Sequence, residues 1–130
     1  MADKKKRLVP LEEDEQRLLF DWATVSIGAH PELALLFAIP NGGYRSKATA
    51  ARMKATGEKA GVPDMFLPVP RCGSHGLWIE LKRRYKDLTH ISSNQKLWVE
   101  SLRQQGYMVY VCYGWEEARH TILDYLRGVL

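Results

Sequence analysis

Residues 61–84 read GVPDMFLPVPRCGSHGLWIELKRR, and the placement of charge in this stretch decides the fold. Asp64 stands alone ahead of the apolar run Met65-Phe66-Leu67, and Glu80 and Lys82 interrupt a second run that begins at Leu77. Two strands are expected, Asp64 to Val69 and His75 to Lys82 or a little beyond. The short, glycine-containing segment 70–74 would join them as an antiparallel hairpin. Side chains alternate along a strand, so Trp78, Glu80 and Lys82 share one face while Leu77, Ile79 and Leu81 take the other, toward the core. Glu80 and Lys82 then stand about 7 Å apart along the strand, and hairpin pairing brings Asp64 beside Glu80. Charge inside a sheet is costly unless something pairs with it. Either the strand lies at a solvated edge, or a metal and a charged substrate complete the site.

Outward from the hairpin, helical spacing of Leu11, Leu18, Leu19, Trp22 and Val25 predicts a first helix from Leu11 to about Ser26. The run LALLFAI after Pro31 ends in a strand that stops at Pro40-Asn41-Gly42-Gly43, a turn signal. Ser46 caps a helix through KATAARMKATGEK, which Gly61 ends. A helix from about Ser93 to Gln105 stops at Gly106, Tyr107 to Tyr113 reads as a buried central strand, and Trp115 to about Leu126 forms a last helix. The expected fold is α/β, a mixed sheet with helices on both faces.

At 130 residues one domain is expected, 11–130, behind a basic arm, 1–10, whose composition predicts flexibility. Cys72 and Cys112 form no CxxC, so zinc is not expected and a reduced cytoplasmic protein is. No apolar run approaches a membrane span, and no membrane partner is expected. Net charge is +4, and the basic residues cluster at Lys4–Arg7, between Arg45 and Lys59, and at Lys82, Arg83, Arg84 and Lys86. Such clusters suit a polyanion, although a solvated basic face reads the same way.

Two adjoining carboxylates repel unless a cation sits between them. With oxygen ligands and no cysteine or histidine set, Mg²⁺ or Mn²⁺ suits them better than zinc. His30, His75, His90 and His120 show no ligand spacing. A divalent ion there can activate water and polarise a phosphoryl oxygen, and an adjacent lysine can counter the charge that develops. The same spacing also fits a surface Glu–Lys pair on an exposed strand face.

Pro63-Asp64 with Glu80-Leu81-Lys82, fifteen residues between the acids, is the PD-(D/E)xK pattern. Together with FAIPNGGYRSKATAARMKATGEKAGVPDMFLPVP, GLWIELKRR and SSNQKLWVESLRQQGYMVYVCYGWEEA, it resembles the VRR-NUC (virus-type replication–repair nuclease) family. The likeness spans about Leu11 to Leu126 and is greatest to stand-alone phage and prophage members. The resemblance implies a PD-(D/E)xK nuclease-like fold, with Asp64, Glu80 and the carbonyl of Leu81 as metal ligands and Lys82 as the catalytic lysine. It implies an acid on the first helix followed by a glutamine. Glu15 is the first choice, because it falls on the face expected to point inward, and Glu12, one turn before Gln16, is the second. Gln95 matches a family glutamine, but Ser92-Ser93-Asn94-Gln95 is also a capping box. Asn41, Gly42 and Gly43 resemble a loop near the scissile phosphate. Arg45, Lys47, Arg83 and Arg84 are candidate DNA contacts. The implied activity is that of a Mg²⁺- or Mn²⁺-dependent endonuclease resembling Holliday-junction resolvases. It would act as a homodimer on branched DNA in the bacterial cytoplasm. A flap-cleaving or nonspecific nuclease, or a DNA-binding module without catalysis, are the alternatives.

Overall fold

The computed structural model describes residues 9–40, 45–86 and 90–130. Helix α1 (Glu12–Val25) leads through a 3-10 turn (Pro31–Leu35) to strand β1 (Phe37–Ala38). Helix α2 (Lys47–Ala55), strands β2 (Met65–Leu67) and β3 (Leu77–Lys82), helix α3 (Ser93–Gln104), strand β4 (Met108–Tyr113) and helix α4 (Trp115–Arg127) follow. The sheet order is β1-β2-β3-β4, antiparallel except for the β3–β4 pair. The hairpin is present as expected, with Met65 opposite Ile79 and Leu67 opposite Leu77.

One expectation is reversed. β4 is an edge strand, and β2 and β3 are the strands flanked on both sides. The crossover helix α3 carries the chain past β3 to β4, and helix α4 follows. The apolar character of Tyr107–Tyr113 answers instead to helices, since both α3 and α4 pack on β4. The stop signal of α2 also lies elsewhere. The helix ends at Ala55, with Thr56 as its C-cap and Gly57 in the left-handed region at φ +109°. Gly61 has another task, because a Cβ there would stand 2.7 Å from the Asn94 carbonyl carbon. That close approach brings the segment leading to Asp64 against the first turn of α3.

The two faces of β3 divide as alternation requires. Leu77, Ile79 and Leu81 join Leu19 and Ala23 of α1 and Ala118, Ile122 and Tyr125 of α4 in one buried cluster. The Tyr125 hydroxyl donates to the Val69 carbonyl at 2.6 Å, tying α4 to the end of the hairpin. On the opposite face Trp78 stacks on Phe66, ring centroids 4.3 Å apart, and Tyr107 meets both edge-on. Glu80 and Lys82 continue that face and are almost wholly buried, 2% and 5% exposed. The solvated-edge reading of this strand therefore does not hold. Among the described residues no helix is long and apolar enough to cross a membrane.

Candidate metal centre

The site is assembled from four elements. Asp64 ends the loop before β2, where its Oδ2 accepts the Leu81 backbone N–H at 2.6 Å across the hairpin. β3 carries Glu80 and Lys82 inward, and the first turn of α1 brings Glu12 to the same place. One oxygen from each of Glu12, Asp64 and Glu80 lies within 4.8 Å of the others, a spacing that could hold a metal ion. Lys82 Nζ stands 3.5 Å from Glu80 Oε1 and 3.9 Å from Glu12 Oε1.

Three carboxylates share one ammonium here, and the deficit appears in the proton affinities of Asp64 and Glu80. Burial, reinforced by the Asp64 carboxylate, pushes Glu80 up to about 8. Burial also raises Asp64 to about 6, with the Leu81 N–H and Lys82 opposing and Glu12 adding to the rise. An acid set that holds protons near neutrality lacks positive charge, and a divalent ion supplies it. All three donors are hard oxygens, the set that suits Mg²⁺ or Mn²⁺.

Gln95 is both cap and site residue. Its backbone N–H donates to Ser92 Oγ and its Oε1 accepts the Ser92 N–H, closing the capping box of α3. The same Oε1 accepts from Lys82 Nζ at 3.2 Å, and Nε2 donates to Glu80 Oε1 at 2.8 Å. The cap thus fixes the amide that in turn fixes Glu80 and Lys82.

Glu15, the first choice on α1, is not in this cluster. The buried stripe of the helix is Glu15, Leu19 and Ala23, whereas Leu11 and Leu18 are exposed at 58% and 40%. Glu15 is fully buried and receives two hydrogen bonds from Arg84, each 3.2 Å. Arg84 is therefore engaged internally. Arg83 donates to the carbonyls of Val9 and Pro10, and Arg45 is ion-paired with Glu58. Of the expected DNA contacts, Lys47 is exposed, while Asn41 and Gly42, with Gly43, lie outside the described residues. Leu81 lines the cleft.

The cluster sits in an open cleft of 930 Å³, whose walls include Gln16, Arg17 and Phe20 of α1, Ala38, Ala60 and Gly61, and Asn94 of α3. Arg17, Phe20 and Asn94 were not singled out from sequence. Glu12, Gln16 and Phe20 stand at i, i+4 and i+8, a spacing that would have found this face of α1. Trp98 and Trp115 are half-buried, and Trp115 packs on the core beneath Arg119.

The chain is similar to known proteins in sequence and in fold. The VRR-NUC domain model matches residues 13–116. A solved structure described as a VRR_NUC domain protein superposes with a TM-score of 0.76 at 26% identity, covering 92% of this chain and 90% of its own. No curated protein sequence matches the chain.

Proposed function

The chain belongs to the VRR-NUC domain family, a nuclease family, and from that premise we propose that it is a Mg²⁺- or Mn²⁺-dependent endonuclease that hydrolyses phosphodiester bonds in branched DNA. The observation that carries this reading is the convergence of Glu12, Asp64 and Glu80 beside Lys82 on the floor of an open cleft. Asp64, Glu80 and Glu12, with the carbonyl of Leu81, would hold the cation. A divalent cation there supplies Lewis-acid polarisation of the phosphoryl group. Lys82 faces the charge that grows on the phosphoryl oxygens, where a buried ammonium acts more strongly than it would in water. Gln95 keeps the Lys82 and Glu80 side chains in place, so little reorganisation accompanies reaction.

The preferred substrate in this reading is a four-way junction. A homodimer, its two sites related by a twofold axis, would cut opposing strands. The protein would work in the cytoplasm of a bacterial host, encoded by a phage or prophage. The test is cleavage of matched labelled four-way junction, flap and linear duplex, with Mg²⁺, Mn²⁺ or EDTA. Paired symmetric cuts confined to the junction and lost in EDTA support the dimeric resolvase. Equal cutting of all three keeps the nuclease and removes its structure selectivity. Binding without cutting in either metal leaves only a DNA-binding module.

A further inference from the structure

The cleft poses a problem for an enzyme whose substrate is a polyanion. Among the described residues its walls carry Glu12, Glu13, Asp64 and Glu80 against only Arg17 and Lys82. Even with one divalent ion bound, the cleft gives little net attraction for DNA. Three cations expected to supply it are engaged elsewhere: Arg45 by Glu58, Arg83 by two backbone carbonyls, and Arg84 by Glu15. DNA affinity must come from cations that the fold leaves free.

Helix α2 holds such a set. It has no acidic residue in its first turn and no buried residue. Its half-buried positions are Thr49, Ala50 and Met53, and the opposite face, centred on Ala48, Ala51 and Ala55, is exposed. By helical spacing Lys47 and Lys54 border that alanine strip on one side and Arg52 on the other. Among the described residues none of the three pairs with a carboxylate. Arg52 donates only to Thr49 Oγ1 of its own helix, at 3.4 Å. Small side chains flanked by cations let a helix approach a sugar-phosphate backbone closely, with charge reaching phosphates on either side. The helix also departs from and returns to the cleft wall, since Ala38 precedes it and Ala60 and Gly61 follow it in the lining.

We propose that α2 is a second DNA-contacting surface, in which Arg52 and Lys54, beside Lys47, engage the phosphates of a duplex arm flanking the scissile bond. This rests on the nuclease reading and extends it. The helix supplies the affinity, and the acidic cleft supplies the chemistry. An acidic protein partner for the same face is the competing occupant.

The test is the dissociation constant for a labelled 30-base-pair duplex in Ca²⁺, taken across a salt series for the wild type and R52A/K54A. Two lost phosphate contacts reduce the magnitude of the slope of log K against log[salt] by about 1.8. The charge-preserving variant R52K/K54R should keep the wild-type slope, which separates loss of charge from loss of fold. Wild-type slope and affinity in R52A/K54A would overturn the proposal, leaving the nuclease reading intact and returning the helix to an acidic protein partner. A wild-type protein that binds neither this duplex nor a four-way junction at low salt would overturn both.

Discussion

Arg84 donates two hydrogen bonds, each 3.2 Å, to the carboxylate of Glu15, and that carboxylate has no exposure to solvent. The pair joins the segment just after β3 to the first turn of α1, the turn that Glu12 opens. Its members are unequal, because the Arg84 side chain is 32% exposed. Arg84→Ala leaves a buried carboxylate without its partner and should cost about 3 kcal/mol. Glu15→Ala leaves a guanidinium that can reach water and should cost less. Thermal denaturation checks the order, and a Glu15→Ala protein less stable than Arg84→Ala would contradict it.

Asp64→Ala and Glu80→Ala should each abolish metal-dependent cleavage while DNA binding persists or tightens, since a carboxylate repelling phosphate has gone. Gel-shift and cleavage assays on the same preparations read both. Wild-type cutting by either variant would remove that residue from the site.

Lys82→Ala should lower the cleavage rate by about 10²–10³-fold with little change in metal titration midpoint. Gln95→Ala should behave differently. It removes a support shared by Glu80 and Lys82, so activity should fall by about 10–100-fold, and loss of half the capping box should lower the melting temperature as well. Full activity in a destabilised Gln95→Ala protein would make the residue a cap alone.

The metal-free protein should lose stability as pH rises. The folded Asp64 and Glu80 carboxyls are raised to about 6 and about 8, above their unfolded values. Between roughly pH 4 and pH 8 the native state therefore holds more protons than the unfolded chain, and unfolding free energy falls with pH. In EDTA the stability of Glu80→Gln relative to wild type should grow across that interval, because the variant has no proton to lose. Metal binds the ionised acids, so metal affinity should strengthen over the same range. Melting curves at a series of pH values decide this, and a pH-independent difference between the two proteins would contradict it.

The hairpin was legible in the sequence because strand alternation alone sorts Leu77, Ile79 and Leu81 from Trp78, Glu80 and Lys82, and the structure keeps that division. The Gln95 capping box was legible as a local pattern, but its reach to Glu80 and Lys82 depends on how α3 docks, which Gly61 against Asn94 helps to set. Glu15 does face inward, but Leu11 and Leu18, apolar residues read with it, face solvent, and it is Glu12 that stands beside Asp64 and Glu80. The buried stripe includes a charged residue whose partner lies 69 positions away. The place of β4 was hidden for a related reason. An apolar strand covered by two helices and one covered by two strands have the same composition.

The central claim is that Glu12, Asp64 and Glu80 form a metal centre, and calorimetric titration of the protein with Mn²⁺ at pH 8 tests it most directly. Saturable binding by the wild type, weakened at least about tenfold in Glu12→Gln and Glu80→Gln, is the predicted result. No saturable uptake by the wild type, or undiminished uptake by Glu80→Gln, would contradict it.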